Sequence, residues 1–168
     1  MAKYEITTKQ EVLRRLGIAD WRFLTQDHYM DLFAMLDKMD PTTKAFVQKQ
    51  MAKMAAESVR TQQDATLKAI EQNGEVGKKA LDVSKAAIKA LDDIALSGMP
   101  EDQQDKWADR IMQVQSDAMR QSDEARKSNN KAIAALTATT LFALSVATLC
   151  ITGKVDLSKA AKMIRKIK

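Results

Sequence analysis

One cysteine, Cys150, excludes an intrachain disulfide framework and suits a reducing compartment. One histidine, His28, excludes a histidine metal cluster and a nucleophile–base pair built on imidazole. It stands beside Tyr29 and reads as an ordinary surface or edge residue. No glycine-rich loop is present to cradle a phosphate. The acids are spread along the chain as solvated helix faces are. The chain therefore reads as a non-enzyme, with no catalytic residue, cofactor site or metal site assigned. Turn formers are scarce too: 5 Gly and 2 Pro in 168 residues. Few turns over that length mean few, long elements. Aromatics make up 5% of the chain, and strand-favouring residues are sparse outside one segment.

What fills the chain instead is Ala, Lys, Gln, Met, Asp and Leu, a helix-forming mix. The expected fold class is all-α: a small helical head, a long antiparallel helical hairpin or coiled-coil stalk, one C-terminal transmembrane helix and a basic amphipathic tail. The expected organisation is a head over 1–40, a long helix over 41–97, a stalk helix over 101–131, a transmembrane helix over 132–153 and a tail over 154–168.

Within the head, Thr8 and Glu11 form a capping box for a helix that carries Val12, Leu13 and Leu16 and stops at Gly17. Thr25 caps a second helix with Tyr29, Leu32, Phe33 and Leu36. All the aromatics except Trp107 and Phe142 lie at or before Phe46, so a conventional packed core is expected there. The stretch from Thr8 to Ile18 is similar to the opening of DNA-binding helix-turn-helix proteins. Asp27 to Asp37 is acidic and apolar where such proteins have a basic second helix, so no nucleic-acid partner is expected.

Asp40-Pro41 is a strong helix start. Beyond it runs a 3,4-spaced series that includes Leu67, Ile70, Leu81, Ile88 and Leu91. Asn73, Gly74 and Gly77 interrupt it, and the main expectation is one interrupted helix, with two helices as the alternative. After Pro100 the spacing resumes with Trp107, Ile111 and Val114 and passes through Ala118, Ala125 and Ala132 into Phe142 and Val146 without a phase break. A single helix from 101 to 152 would be roughly 75–80 Å long and would need partners. Leu67, Ile70, Leu81, Ile88, Leu91, Trp107, Ile111 and Val114 are the expected oligomer seam of a homo-oligomer.

Residues 132–153 carry no charge and are bracketed by Lys131 and Lys154. As a helix they would span about 33 Å, matching a ~30 Å hydrocarbon core. The competing reading is the central helix of a soluble bundle. Thr137, Thr140, Leu144, Ser145, Thr148 and Thr152 fall within an arc of roughly 140°. That face suits a pore lining or close helix–helix packing.

The net charge of +5 belongs to the last stretch. Lys154, Lys159, Lys162, Arg165, Lys166 and Lys168 face a single acid, Asp156, and the rest of the chain is balanced. Leu157, Ala160, Ala161, Ile164 and Ile167 add an apolar stripe, the pattern of a helix lying on an anionic membrane. A basic flank after the span favours a cytoplasmic C-terminus. The start, Met1-Ala2-Lys3-Tyr4-Glu5, lacks a signal-peptide core, so the head is expected in the cytoplasm as well. A segment that inserts only conditionally resolves that conflict; a translocated head or tail are the other resolutions.

The layout resembles that of small bacterial membrane effectors and scaffold proteins. The functional expectation is an oligomeric protein of a bacterial-type plasma membrane that forms a pore, as a toxic or defensive effector that depolarises it. The alternatives are a membrane-anchored coiled-coil adaptor whose head binds a protein partner, and a soluble helical structural protein.

Overall fold

Local capping chemistry sets most of the element boundaries. Asp40 Oδ1 accepts from the N–H groups of Thr42 and Thr43 at 3.0 and 3.2 Å, and Oδ2 accepts from Thr43 Oγ1 at 2.6 Å. With Pro41 at the first helical position, this launches the longest helix of the chain. A computed structural model describes residues 4–97, 104–127 and 130–152, and its named elements are all helical. They are α1 Lys9–Leu16, α2 Tyr29–Met35, α3 Pro41–Gln72, α4 Gly74–Ser97, α5 Gln104–Lys127 and α6 Lys131–Thr152. Short 3-10 turns cover Trp21–Phe23, Gln26–His28 and Leu36–Lys38.

The interruption near residue 73 is a complete turn. Asn73 donates its backbone N–H to the Ile70 carbonyl and its side-chain Nδ2 to the Ala69 carbonyl, the latter at 2.6 Å. Gly74 takes φ +53°, which reverses the chain. α4 then lies back along α3. Gln63 Nε2 donates to Ser84 Oγ at 2.6 Å, and further from the turn Arg60 pairs with Asp92. Gly77 makes the return possible. A Cβ there would overlap the Ile70 carbonyl and lie 2.8 Å from Ile70 Cα. The two-helix alternative is therefore the one realised.

A second difference lies between α5 and α6. The single helix over 101–152 that the unbroken spacing would allow is not formed. The Asn130 N–H donates to the Ala125 carbonyl at 3.3 Å and so closes α5. Its side-chain Oδ1 then accepts from the Ile133 N–H at 3.1 Å, capping α6. One residue ends one helix and starts the next. The 3,4 phase carried through this point because a short turn need not disturb it.

The result is a four-helix bundle. α3 packs on α4 and α6, α6 also packs on α4 and α5, and α4 packs on α5. An ion pair, Arg110 Nη1 to Asp93 Oδ2 at 3.4 Å, links α5 to α4. Much of the core is alanine: Ala52, Ala55, Ala56, Ala80, Ala87, Ala90, Ala118, Ala125, Ala143 and Ala147 are all buried. Small side chains let the helices approach closely but bury little apolar area each. The head does not stand apart. Ile6, Val12, Leu24, Tyr29 and Leu32 belong to the same continuous core as the bundle. Its N-terminal segment is tied down by Asp40 N–H to the Ile6 carbonyl at 2.9 Å and by Ile6 N–H to the Lys38 carbonyl at 3.0 Å. Lys9 Nζ lies 3.8 Å from the centroid of Phe46, whose edge meets Trp21.

Two predictions follow from these turns and caps. Gly77→Ala should lower the urea midpoint by an amount equivalent to ~1–3 kcal/mol, since only backbone movement relieves the overlap. The second concerns acid. Glu11 is held at about 2 against an ordinary 4.5 by hydrogen bonds from Arg14 and Arg15. Asp40 is lowered by its hydrogen bonds, chiefly from Thr43, and Asp20 by the backbone N–H of Arg22. A carboxyl lowered on folding stabilises the fold above its unfolded value and loses that effect as pH falls through the folded value. A pH titration followed by circular dichroism should show stability level above about pH 5 and falling steadily toward pH 2.

Candidate membrane helix and its cover

α6 is the chain's one described helix that is long and apolar enough to cross a membrane. A buried core helix passes the same test, and 56% of the window Lys131–Thr148 is buried inside the fold. Ile133, Leu136, Phe142, Ala143, Leu144, Val146 and Ala147 all point into the core. Lys131 and Ala135 are exposed, and Ala134, Ala138, Leu141, Ser145 and Thr148 are half-buried. The charge-free surface of α6 is thus covered mainly by α3, α4 and α5.

The hydroxyls of α6 share one habit. Thr137, Thr139, Thr140, Ser145 and Thr148 each donate to the carbonyl four residues back, at distances from 2.7 to 3.0 Å. These five bonds are internal to the helix. Thr137, Thr140 and Leu144 of the expected pore-lining face are buried in the bundle, while Ser145 and Thr148 are half-buried. Thr152 lies in α6, but its side chain is outside the described residues. Thr139, placed off that face by sequence spacing, is buried too.

Tyr29 closes the cover from the head. It is fully buried. Its hydroxyl donates to the Met51 carbonyl of α3 at 3.2 Å. Its ring meets Phe142 of α6 edge-on, with centroids 5.3 Å apart and planes at 80°. The Phe33 ring lies tilted against it, with centroids 6.0 Å apart. One side chain of α2 therefore binds α3 and α6 at once, and edge-to-face ring pairs of this kind add ~0.5–1.5 kcal/mol beyond burial. No local pattern in the sequence announces this contact. Beside it, Arg22, Leu24, Met54, Thr61, Gln62 and Thr139 line an open groove of about 520 Å³ where the head, α3 and α6 meet.

The expected oligomer seam is distributed differently. Ile70, Leu91, Ile111 and Val114 are buried within the single chain. Leu81 and Ile88 are half-buried, and Leu67 is 46% exposed. The Trp107 side chain lies outside the described residues. In the head, His28 Nδ1 accepts the Thr25 N–H at 2.9 Å and so closes a turn. Phe23 is 58% exposed and is the head's most open aromatic. Among the described residues no group of His, Cys, Asp or Glu is arranged to hold a metal. The tail residues Lys154, Lys159, Lys162, Arg165, Lys166 and Lys168 lie outside the described residues. Comparison of the chain with family models, with curated proteins and with solved structures returns no match.

The clasp gives a direct prediction. Tyr29→Ala should cost ~3–5 kcal/mol of unfolding free energy by opening a cavity between α2, α3 and α6. Tyr29→Phe keeps the ring and should cost only ~1 kcal/mol, the worth of one hydrogen bond. Urea unfolding of both variants beside the parent checks the ratio.

Proposed function

We propose that this protein is a conditional membrane effector that keeps a membrane-spanning helix stored inside a bundle and releases it to form an oligomeric pore. The observation that carries this reading is that α6 carries no charge after Lys131 and has its hydroxyls bonded to its own backbone at Thr137, Thr139, Thr140, Ser145 and Thr148. Such a helix exchanges a protein environment for lipid without losing those bonds. Storage also resolves the topology conflict, because a head and a tail on the same side need no permanent single span. The basic tail then draws the protein to an anionic leaflet such as that of a bacterial plasma membrane. After insertion the hydroxyl face of α6 packs against copies of itself and lines the conducting path. Copies of the exposed bundle helices supply the oligomer contacts, and Phe23 on the head offers a protein partner a docking point.

A second reading rests on the burial of α6. In it α6 is only the core helix of a soluble bundle, and the chain is an adaptor or structural protein.

The deciding experiment mixes the full-length protein with vesicles rich in anionic lipid, then measures sedimentation with the vesicles, resistance to alkaline carbonate and ion flux. The pore reading expects carbonate-resistant protein and flux, with Thr148→Leu lowering flux severalfold at equal binding. Binding without flux under every trigger tried supports a tether. Protein that stays in the supernatant as a monodisperse species supports the soluble bundle and sinks the membrane reading.

A further inference from the structure

Several polar side chains buried in the bundle bond to the backbone of their own helix. Thr66 donates to the Gln62 carbonyl at 2.6 Å, and Ser84 donates to the Leu81 carbonyl at 2.8 Å while accepting from Gln63. The α6 hydroxyls likewise bond to their own helix. Gln121 is different. The residue is only 6% exposed, and among the described residues nothing donates to its side-chain Oε1. It sits in the α5 stripe formed by Ile111, Val114, Ala118 and Ala125, all buried. α5 packs against both α4 and α6.

A buried amide carbonyl with no donor penalises the state that buries it and no other. Leucine in its place would fill a similar volume without that penalty. We propose that Gln121 is a release residue: its unpartnered carbonyl weakens the closed bundle selectively, and the penalty vanishes when α6 leaves and water reaches this face of α5. The proposal rests on the reading of α6 as a stored membrane helix. It assigns the balance between stored and released states to one side chain outside α6.

The test compares the parent with Gln121→Leu and with the unbranched, nearly isosteric Gln121→Met. Melting temperature is measured without lipid, and the rate of transfer to anionic vesicles is measured separately. Both variants should melt higher by about 2–6 °C and transfer about tenfold more slowly. Unchanged or lower melting in both variants overturns the proposal, since the buried carbonyl then carries no penalty. Higher melting with unchanged transfer also overturns it, since the penalty is then uncoupled from release. If the parent never enters vesicles, the membrane reading fails and the release role fails with it. The melting data alone still show whether Gln121 penalises the fold, so the two failures are told apart.

Discussion

A helix about 33 Å long that carries no charge after its first residue has to be covered by something apolar, and the arrangement of every other element follows from that need. In the folded chain the cover comes from α3, α4 and α5 along its sides and from Tyr29 at the head. The turns at Asn73-Gly74 and at Asn130 fold the chain back on itself so that these helices reach it. The head, which in isolation would be a few short helical turns, takes its place because Tyr29 bridges Met51 and Phe142.

The composition of the cover matters as much as its existence. Alanines such as Ala52, Ala56, Ala87 and Ala118 allow close approach with little area buried per contact. Burial of a full Leu or Phe side chain stabilises by ~1.5–3 kcal/mol, and an alanine methyl by a fraction of that. Small alanine contacts to α6 thus stand beside larger ones, of which Phe142 and Tyr29 are the bulkiest fully buried side chains. Against them stands the polar content of α6 itself. Thr137 and Thr140 add little attraction to the neighbouring helices, because their hydroxyls donate back along α6. A cover of this kind is compatible with release in a way that a leucine-rich interface is not.

The all-α class and the main helix starts were legible because they depend on neighbours in sequence. Thr8 accepts the Glu11 N–H, and Asp40-Pro41 starts α3, as composition and spacing suggest. Glu11 departs from a full capping box, since its carboxylate turns to Arg14 and Arg15 instead of back to the cap. The break between α5 and α6 was less legible. Apolar spacing alone continues through it, and the informative residues were Ser128, Asn129 and Asn130, a run of turn formers set in an otherwise helical stretch. Tyr29 with Phe142 and the unpartnered Gln121 had no local signature at all. They arise from which helices meet, and that is decided by the turns.

Hydrogen exchange on the full-length protein, with and without anionic vesicles, tests the stored-helix account most directly. In water the amides of α6 from Ile133 to Thr148 should exchange as slowly as those of α3, because one core protects both. With vesicles, α6 should stay protected by lipid, while Tyr29 and the α3 segment around Met51 and Ala55 lose protection as their cover departs. Identical protection of every helix in both conditions would contradict the account and leave α6 as a permanent member of a soluble core.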